Sequence, residues 1–442
     1  MASIQGPSQP ATRSISHLTR WDRAVSSFLR SITDTLLDPV IILAATLFML
    51  GGSPAQVAAP AAVTAFLWAA GPFVIPAIAR LVGAVMPLAI AGVVLRVGAA
   101  ILILAIGLRI QRLSSGDAVV AILLCYTFFQ LGVALTDETW GSPWANGNGR
   151  RISAFGWVTL VTAIVSSLAA IAAARTLDPM RVNFPHSVGL LFVLAALAAL
   201  SACWFLVLGE FMQTDDDLPD SASESDVRLQ SSSGYRYLSF QILWAVSRLA
   251  DPFVIVFALS EMSLSFRYVG GALASYALLR GVGQLIASSR PRALPPARML
   301  QLGSFLRFVF LVVAGGISVA ASSTWYRTEV RDSDAASWAL ALAFGALGVA
   351  VAFSDDAQRR YLGHLEGRTA PDATGIGLPG MLLALLSLSP FAGAWIVGRF
   401  SLEGAIVSAA IVSFLAMLAS ALLDMPIRRR RVPIRRTSRR RR

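Results

Sequence analysis

Apolar stretches of about 20 residues recur along almost the whole of this 442-residue chain. At about 1.5 Å rise per residue, each is long enough to cross the roughly 30 Å hydrocarbon layer of a bilayer. Lipid offers no water to a backbone N–H or C=O, so each stretch must be a helix that satisfies its own groups. The expected fold is therefore an all-α, polytopic membrane protein. Composition agrees, with 56% hydrophobic residues, 14% charged residues and a mean hydropathy of +0.66; an ordinary soluble domain is roughly a quarter charged. The sequence predicts twelve spans, at 27–49, 55–78, 86–108, 117–136, 153–174, 187–210, 238–260, 266–288, 300–321, 336–353, 375–397 and 402–423.

The arginines orient these spans. All 37 basic residues are Arg and Lys is absent, which reads as the coding bias of a GC-rich bacterial genome. With the N-terminus placed in the cytoplasm, 25 arginines fall on inner segments and 8 on outer ones. The positive-inside rule then puts both termini in the cytoplasm of a bacterial inner membrane. Residues 1–26, with Pro7, Pro10 and Arg13, lack the short apolar core and cleavage site of a signal peptide and read as a cytoplasmic tail.

Two polar stretches divide the rest. Residues 211–236 hold the acidic, Ser-rich run from Thr214 to Gly234, which reads as a flexible cytoplasmic linker between a half at 27–210 and a half at 237–424. Residues 425–442 end in an arginine-rich run, Arg428 to Arg442, suited to anionic inner-leaflet lipid at about 1 kcal/mol per Arg near the surface. A basic run can also bind nucleic acid, but a tail tethered just after a last span is already explained as a topological anchor.

Superposing the halves gives the sharpest signal. The segment starting at Trp21 lies over the one starting at Gly234, so that Arg23 meets Arg236, Asp38 meets Asp251 and Pro39 meets Pro252. Gly71 then matches Gly283, Gly92 matches Gly303, Leu95-Arg96 matches Leu306-Arg307, and Leu131 to Ala134 matches Leu347 to Ala350, all in the same order. Two parallel six-helix repeats around a cytoplasmic linker form an architecture whose substrate sites lie near the bilayer midplane.

On these residues the chain resembles the major facilitator superfamily of transporters, over roughly residues 21 to 424. The loops after spans two and eight look like the family's cytoplasmic signature, with Gly71 and Arg80 in one copy and Gly283, Arg290 and Arg292 in the other. The signature's Asp is missing from both. The resemblance implies that spans one and seven line a central cavity, and that the chain works as a monomer.

Asp38 and Asp251 are the leading candidates for chemistry. Each sits about a dozen residues into its span, where an ionisable group is expensive unless it is paired or hydrated. Pro39 and Pro252 kink the helices beside them, and a cavity carboxylate between two rocking halves could take up and release a proton. Structural readings stand beside this one. Asp38 suits the N-cap of a half-helix whose N1 is Pro39, and Asp251 could pair with Arg248 three residues earlier on the same face. Asp34 lies one turn before Asp38, and two such carboxylates should repel. Arg96 and Arg307 read as buried partners of nearby polar groups. Arg280 replaces Trp68 of the first half and suits either an anionic substrate group or an acidic neighbour.

No phosphate-binding loop, nucleophile elbow or zinc-protease motif occurs, and Cys125 and Cys203 both fall inside spans. Neither an enzyme, a metal site nor a cofactor is expected. The function these features favour is secondary active transport by alternating access, proton-coupled and exporting a small organic molecule. A non-transporting assembly factor on the same scaffold and a lipid-precursor flippase remain the alternatives.

Overall fold

A computed structural model describes residues 11–82, 86–140, 152–178, 182–211, 232–289, 295–321, 323–324, 335–365 and 377–424. Residues 212–231 of the linker expected at 211–236, the arginine-rich tail, Arg290 and Arg292 lie outside them; residues 232–236, expected as linker, are already helical. Nine of the described helical stretches are long and apolar enough to cross a membrane, and no strand occurs among the described residues.

The first half comprises α1 (Ala11–Leu36), α2 (Ile42–Met49), α3 (Pro54–Val82), α4 (Met86–Arg109), α5 (Ser115–Trp140), α6 (Ile152–Thr176) and α7 (His186–Phe211). The second comprises α8 (Ser232–Ser247), α9 (Asp251–Ser260), α10 (Arg267–Ser289), α11 (Pro296–Ala321), α12 (Ala335–Leu365), α13 (Gly377–Leu386), α14 (Ser389–Arg399) and α15 (Leu402–Ala421). Three pairs are single spans broken midway: α1 with α2, α8 with α9 across a 3-10 turn at Arg248–Ala250, and α13 with α14. Counting each pair once gives six segments before the linker and six after it. The first helix begins at Ala11, so it extends well into the stretch read from sequence as a tail. The tenth segment likewise runs on to Leu365, past its expected end.

The breaks follow from proline. Pro39 offers no N–H to the preceding turn, and α1 stops at Leu36. Pro252 and Pro390 stand in the first turns of α9 and α14, where a missing donor costs nothing. The far end of α2 closes with Gly51 at φ +80°. The N–H groups of Gly51 and Gly52 donate to the carbonyls of Phe48 and Leu47, the paired bonds of a Schellman cap. Ser53 and Gln56 then start α3 by capping each other's backbone N–H.

The side of the bundle on which α1 begins and α15 ends is called here the terminal side, and the opposite one the far side. The far side is closed. There α2 packs on α9, and the main core cluster gathers their buried residues, among them Ile41, Ile42, Leu47, Phe253 and Phe257. Phe184 meets Phe266 edge-on, with ring centroids 5.9 Å apart. Between the halves α6 lies against α10, and α3 against α13 and α14.

Small residues permit these approaches, as expected where lipid removes the hydrophobic drive and only close packing remains. A Cβ on Gly270 would lie 2.1 Å from the Cα of Ala174, and one on Gly281 2.2 Å from the Cβ of Ala163. Gly271, by contrast, has open space where its Cβ would be. Gly270→Ala should therefore force α6 and α10 apart and lower stability by about 1–3 kcal/mol. Gly271→Ala in the same helix should be neutral or stabilise by up to about 1 kcal/mol. Thermal unfolding of both variants in one detergent checks this; equal effects would contradict the packing.

Candidate functional site

The two matched Asp-Pro breaks are built differently. In the second half Asp251 opens α9, and its Oδ1 accepts from Nη2 of Arg307, on α11, at 2.6 Å. Arg307 also donates through Nε to the Ser247 hydroxyl at 2.7 Å and through Nη2 to the Ser247 carbonyl at 2.9 Å. Its guanidinium lies 5.1 Å from the centre of the Trp244 ring. The side chains of Arg307 and Asp251 are 1% and 5% exposed, so the ion pair is dry. Arg248, the partner weighed from sequence, comes no closer than 3.9 Å to the other Asp251 oxygen. The turn between α8 and α9 is held from outside as well. Ser389 donates to the Ala245 carbonyl at 2.7 Å, and Gly393 packs so closely that a Cβ there would be 2.0 Å from the Leu249 carbonyl oxygen.

In the first half the break is closed by backbone. Asp38 Oδ1 accepts the N–H of Val40 at 3.0 Å and of Ile41 at 2.7 Å, capping the entry to α2. Arg96, the counterpart of Arg307, is buried, yet among the described residues its side chain makes one hydrogen bond, from Nη1 to the Thr136 hydroxyl at 3.1 Å. Its Nε has no hydrogen-bond partner among the described residues. The difference traces to one substitution between the repeats: the offset that equates Asp38 with Asp251 equates Asp34 with Ser247. Asp34 turns to Arg30 instead, at 3.6 Å, so the repulsion expected between Asp34 and Asp38 is offset by a cation one turn earlier.

Arg30 is itself held by Asp137 at the end of α5, through two bonds of 2.6 and 2.7 Å. Across the interface Arg280 Nη2 lies 3.5 Å from Asp355 on α12, and its guanidinium is 5.9 Å from the Tyr276 ring centre. The Arg280 Nε has no hydrogen-bond partner among the described residues. The field of Arg280 reaches both Asp34 and Asp38. A hydroxyl chain lies close by, in which Gln130 donates to the Tyr126 hydroxyl at 2.9 Å and Tyr126 shares a 2.8 Å bond with Thr64.

Exposure separates the two levels. Arg30, Asp34, Asp137, Arg280 and Asp355, on the terminal side of the breaks, and Arg248, at the start of one, have side chains 28% to 46% exposed. The structure thus brings Asp34, Arg248 and Arg280 to a partly exposed, charged region under the closed far side, and leaves Asp38 and Asp251 buried at its edge. Sequence alone does not single out Asp137 or Asp355; both fall at the ends of apolar stretches, where charges are ordinary. The i,i+4 spacing of Arg30 and Asp34 is the one signal that points to this cluster. Of the signature-like loops, Gly71 is buried in α3, and Gly283 lets α10 approach Ala352 of α12. The Arg80 side chain lies outside the described residues.

No protein-family model matches the chain, and no curated protein does. Solved structures do. A POT family transporter in complex with a thioalcohol-conjugated peptide aligns over 93% of this chain and 97% of its own, with a TM-score of 0.62 and 12% identity. A bacterial homologue of the iron transporter ferroportin in an inward-facing state aligns over 94% and 99%, with a TM-score of 0.60 and 13% identity. A POT family transporter in complex with 5-aminolevulinic acid gives 0.61 and 12%, over 93% and 97%. The fold is therefore that of these solved membrane transporters, carried by a divergent sequence.

The unequal breaks make a prediction. Removing one partner of a dry ion pair strands the other, so Arg307→Met should cost about 3–5 kcal/mol. Arg96→Met leaves only a hydroxyl that already donates to carbonyls of its own helix, and should cost less than about 1 kcal/mol. Unfolding of the two variants in one detergent measures the difference. Equal losses would contradict the asymmetry.

Proposed function

We propose that the chain is a secondary active transporter that works by alternating access, coupled to protons through Asp38 or Asp251, and that it exports a small organic molecule. The observation that carries this reading is the placement of two carboxylates at helix breaks, on the boundary between a packed far side and a wet, charged terminal side. A proton on Asp251 would remove the charge that holds Arg307. One on Asp38 would weaken the acceptor for two backbone N–H groups at the entry to α2. Either event loosens a joint about which half of a span can tilt, which is the coupling a two-state carrier needs.

The neighbours' complexes support the substrate class, since a peptide conjugate and 5-aminolevulinic acid are both small organic molecules. The arginine distribution supports a bacterial inner membrane with the terminal side in the cytoplasm. In that orientation the charged terminal side faces the compartment from which an exporter loads. The arginine-rich tail would then lie against anionic inner-leaflet lipid, and the protein would work as a monomer.

A thermal-shift screen of organic ligands in detergent at two pH values should find a compound whose stabilisation depends on pH. Flux of that compound into proteoliposomes, driven by a pH gradient, should fall at least about tenfold when Asp38→Asn and Asp251→Asn are combined. Undiminished flux in the double variant would show that these carboxylates do not carry the coupling.

A further inference from the structure

The charges of the wet region are not shared evenly between the halves. From Arg30 inward, the first half places Arg30 and Arg96 against Asp34, Asp38 and Asp137. The second half places Arg248, Arg280 and Arg307 against Asp251 and Asp355. Counted over these ten residues, the first half has one negative charge in excess and the second one positive charge.

The pairing distances show which groups are left over. Arg30 is committed to Asp137 by two short bonds, so Asp34, 46% exposed and 3.6 Å from the Arg30 Nε, is the weakly held anion. Arg307 is committed to Asp251 and Ser247, which leaves Arg248 at 3.9 Å from its acid and a third exposed. Arg280 is 38% exposed, 3.5 Å from Asp355, with Nε unpartnered. The loosely held anion stands on α1 and the loosely held cations stand at the α8–α9 turn and on α10, on opposite sides of the interface between the halves.

From this arrangement we infer that the wet region under the Asp-Pro breaks binds a small zwitterion, its ammonium group against Asp34 and its carboxylate or other acid group against Arg280 and Arg248. The inference rests on the transport reading for the site's purpose and names the substrate class. A molecule with one charge would satisfy one wall and leave the other bare in a region largely enclosed by apolar helices. A dipolar molecule completes both, with charge-assisted hydrogen bonds at each end. Because the two ends belong to different halves, such a ligand also ties the halves together. Tyr276 lies one turn earlier on α10, with its ring centre 5.9 Å from the same guanidinium.

Binding to the full-length protein in lipid nanodiscs tests this without requiring transport. The probes are the twenty standard amino acids, dialanine and glycine betaine. For the best amino acid, the matching amine without the carboxylate and the matching acid without the amine are added; for leucine these are 3-methylbutylamine and 4-methylpentanoate. At least one zwitterion should bind, and should do so at least about tenfold more tightly than either singly charged analogue. Asp34→Asn should abolish the preference over the acid analogue, and Arg280→Gln the preference over the amine. Asp34→Glu and Arg280→Lys, which keep the charges, should restore much of each preference, so that misfolding is told apart from lost recognition. Binding of the amine or the acid as tightly as the zwitterion, or of no zwitterion in the panel, overturns the inference. Two-ended binding without any flux would leave it standing and sink the transport reading. Gradient-driven flux of a neutral or singly charged molecule would do the reverse.

Discussion

Wherever a helix breaks inside lipid, the N–H and C=O groups it frees must find partners within the protein, because the solvent supplies none. This requirement governs the two Asp-Pro joints on which the rest of the molecule turns. At the first, a single carboxylate oxygen of Asp38 takes two backbone N–H groups and so makes the break self-sufficient. At the second, the carboxylate is drawn instead to Arg307, and the turn is held by Ser389 and by the close approach of Gly393 on the neighbouring broken helix. One joint is stabilised locally, the other by three residues on two helices distant in sequence.

From that difference the asymmetry of the site follows. Where Asp251 is consumed by Arg307, Arg248 is left loosely held. Where Asp38 is consumed by backbone, Asp34 is left to share Arg30 with Asp137. The duplication supplied equivalent positions, and the change of Ser247 to Asp34 between copies let the halves settle their charges differently.

Much of the fold was legible without coordinates, because hydrocarbon thickness sets helix length and proline sets where a span breaks. The matched glycines were legible too, and their role proved to be close approach: Gly92 lies against Gly132, and Gly303 against Ala350. The turn closed by Asp38 could be read locally, since its carboxylate reaches only two or three residues along the chain, although the helix itself begins later, at Ile42. The partner of Asp251 could not. Arg248, three residues away, is the nearest candidate in sequence, yet Arg307, 56 positions on, makes the 2.6 Å bond. The same holds for Arg30 with Asp137, which lie 107 positions apart.

By itself the sequence determined that this chain is a bundle of lipid-crossing helices in two repeated halves, with acids beside prolines in the first span of each. Those properties depend on length, hydropathy and local stereochemistry, all of which act over a few turns of helix. Only the tertiary structure decided which charges are dry and which are wet. It also decided which arginine takes which carboxylate, and that the unsatisfied charges of opposite sign stand on opposite halves. Ion pairing depends on separation in space and on the loss of water around each group, and neither quantity is set until the helices have packed.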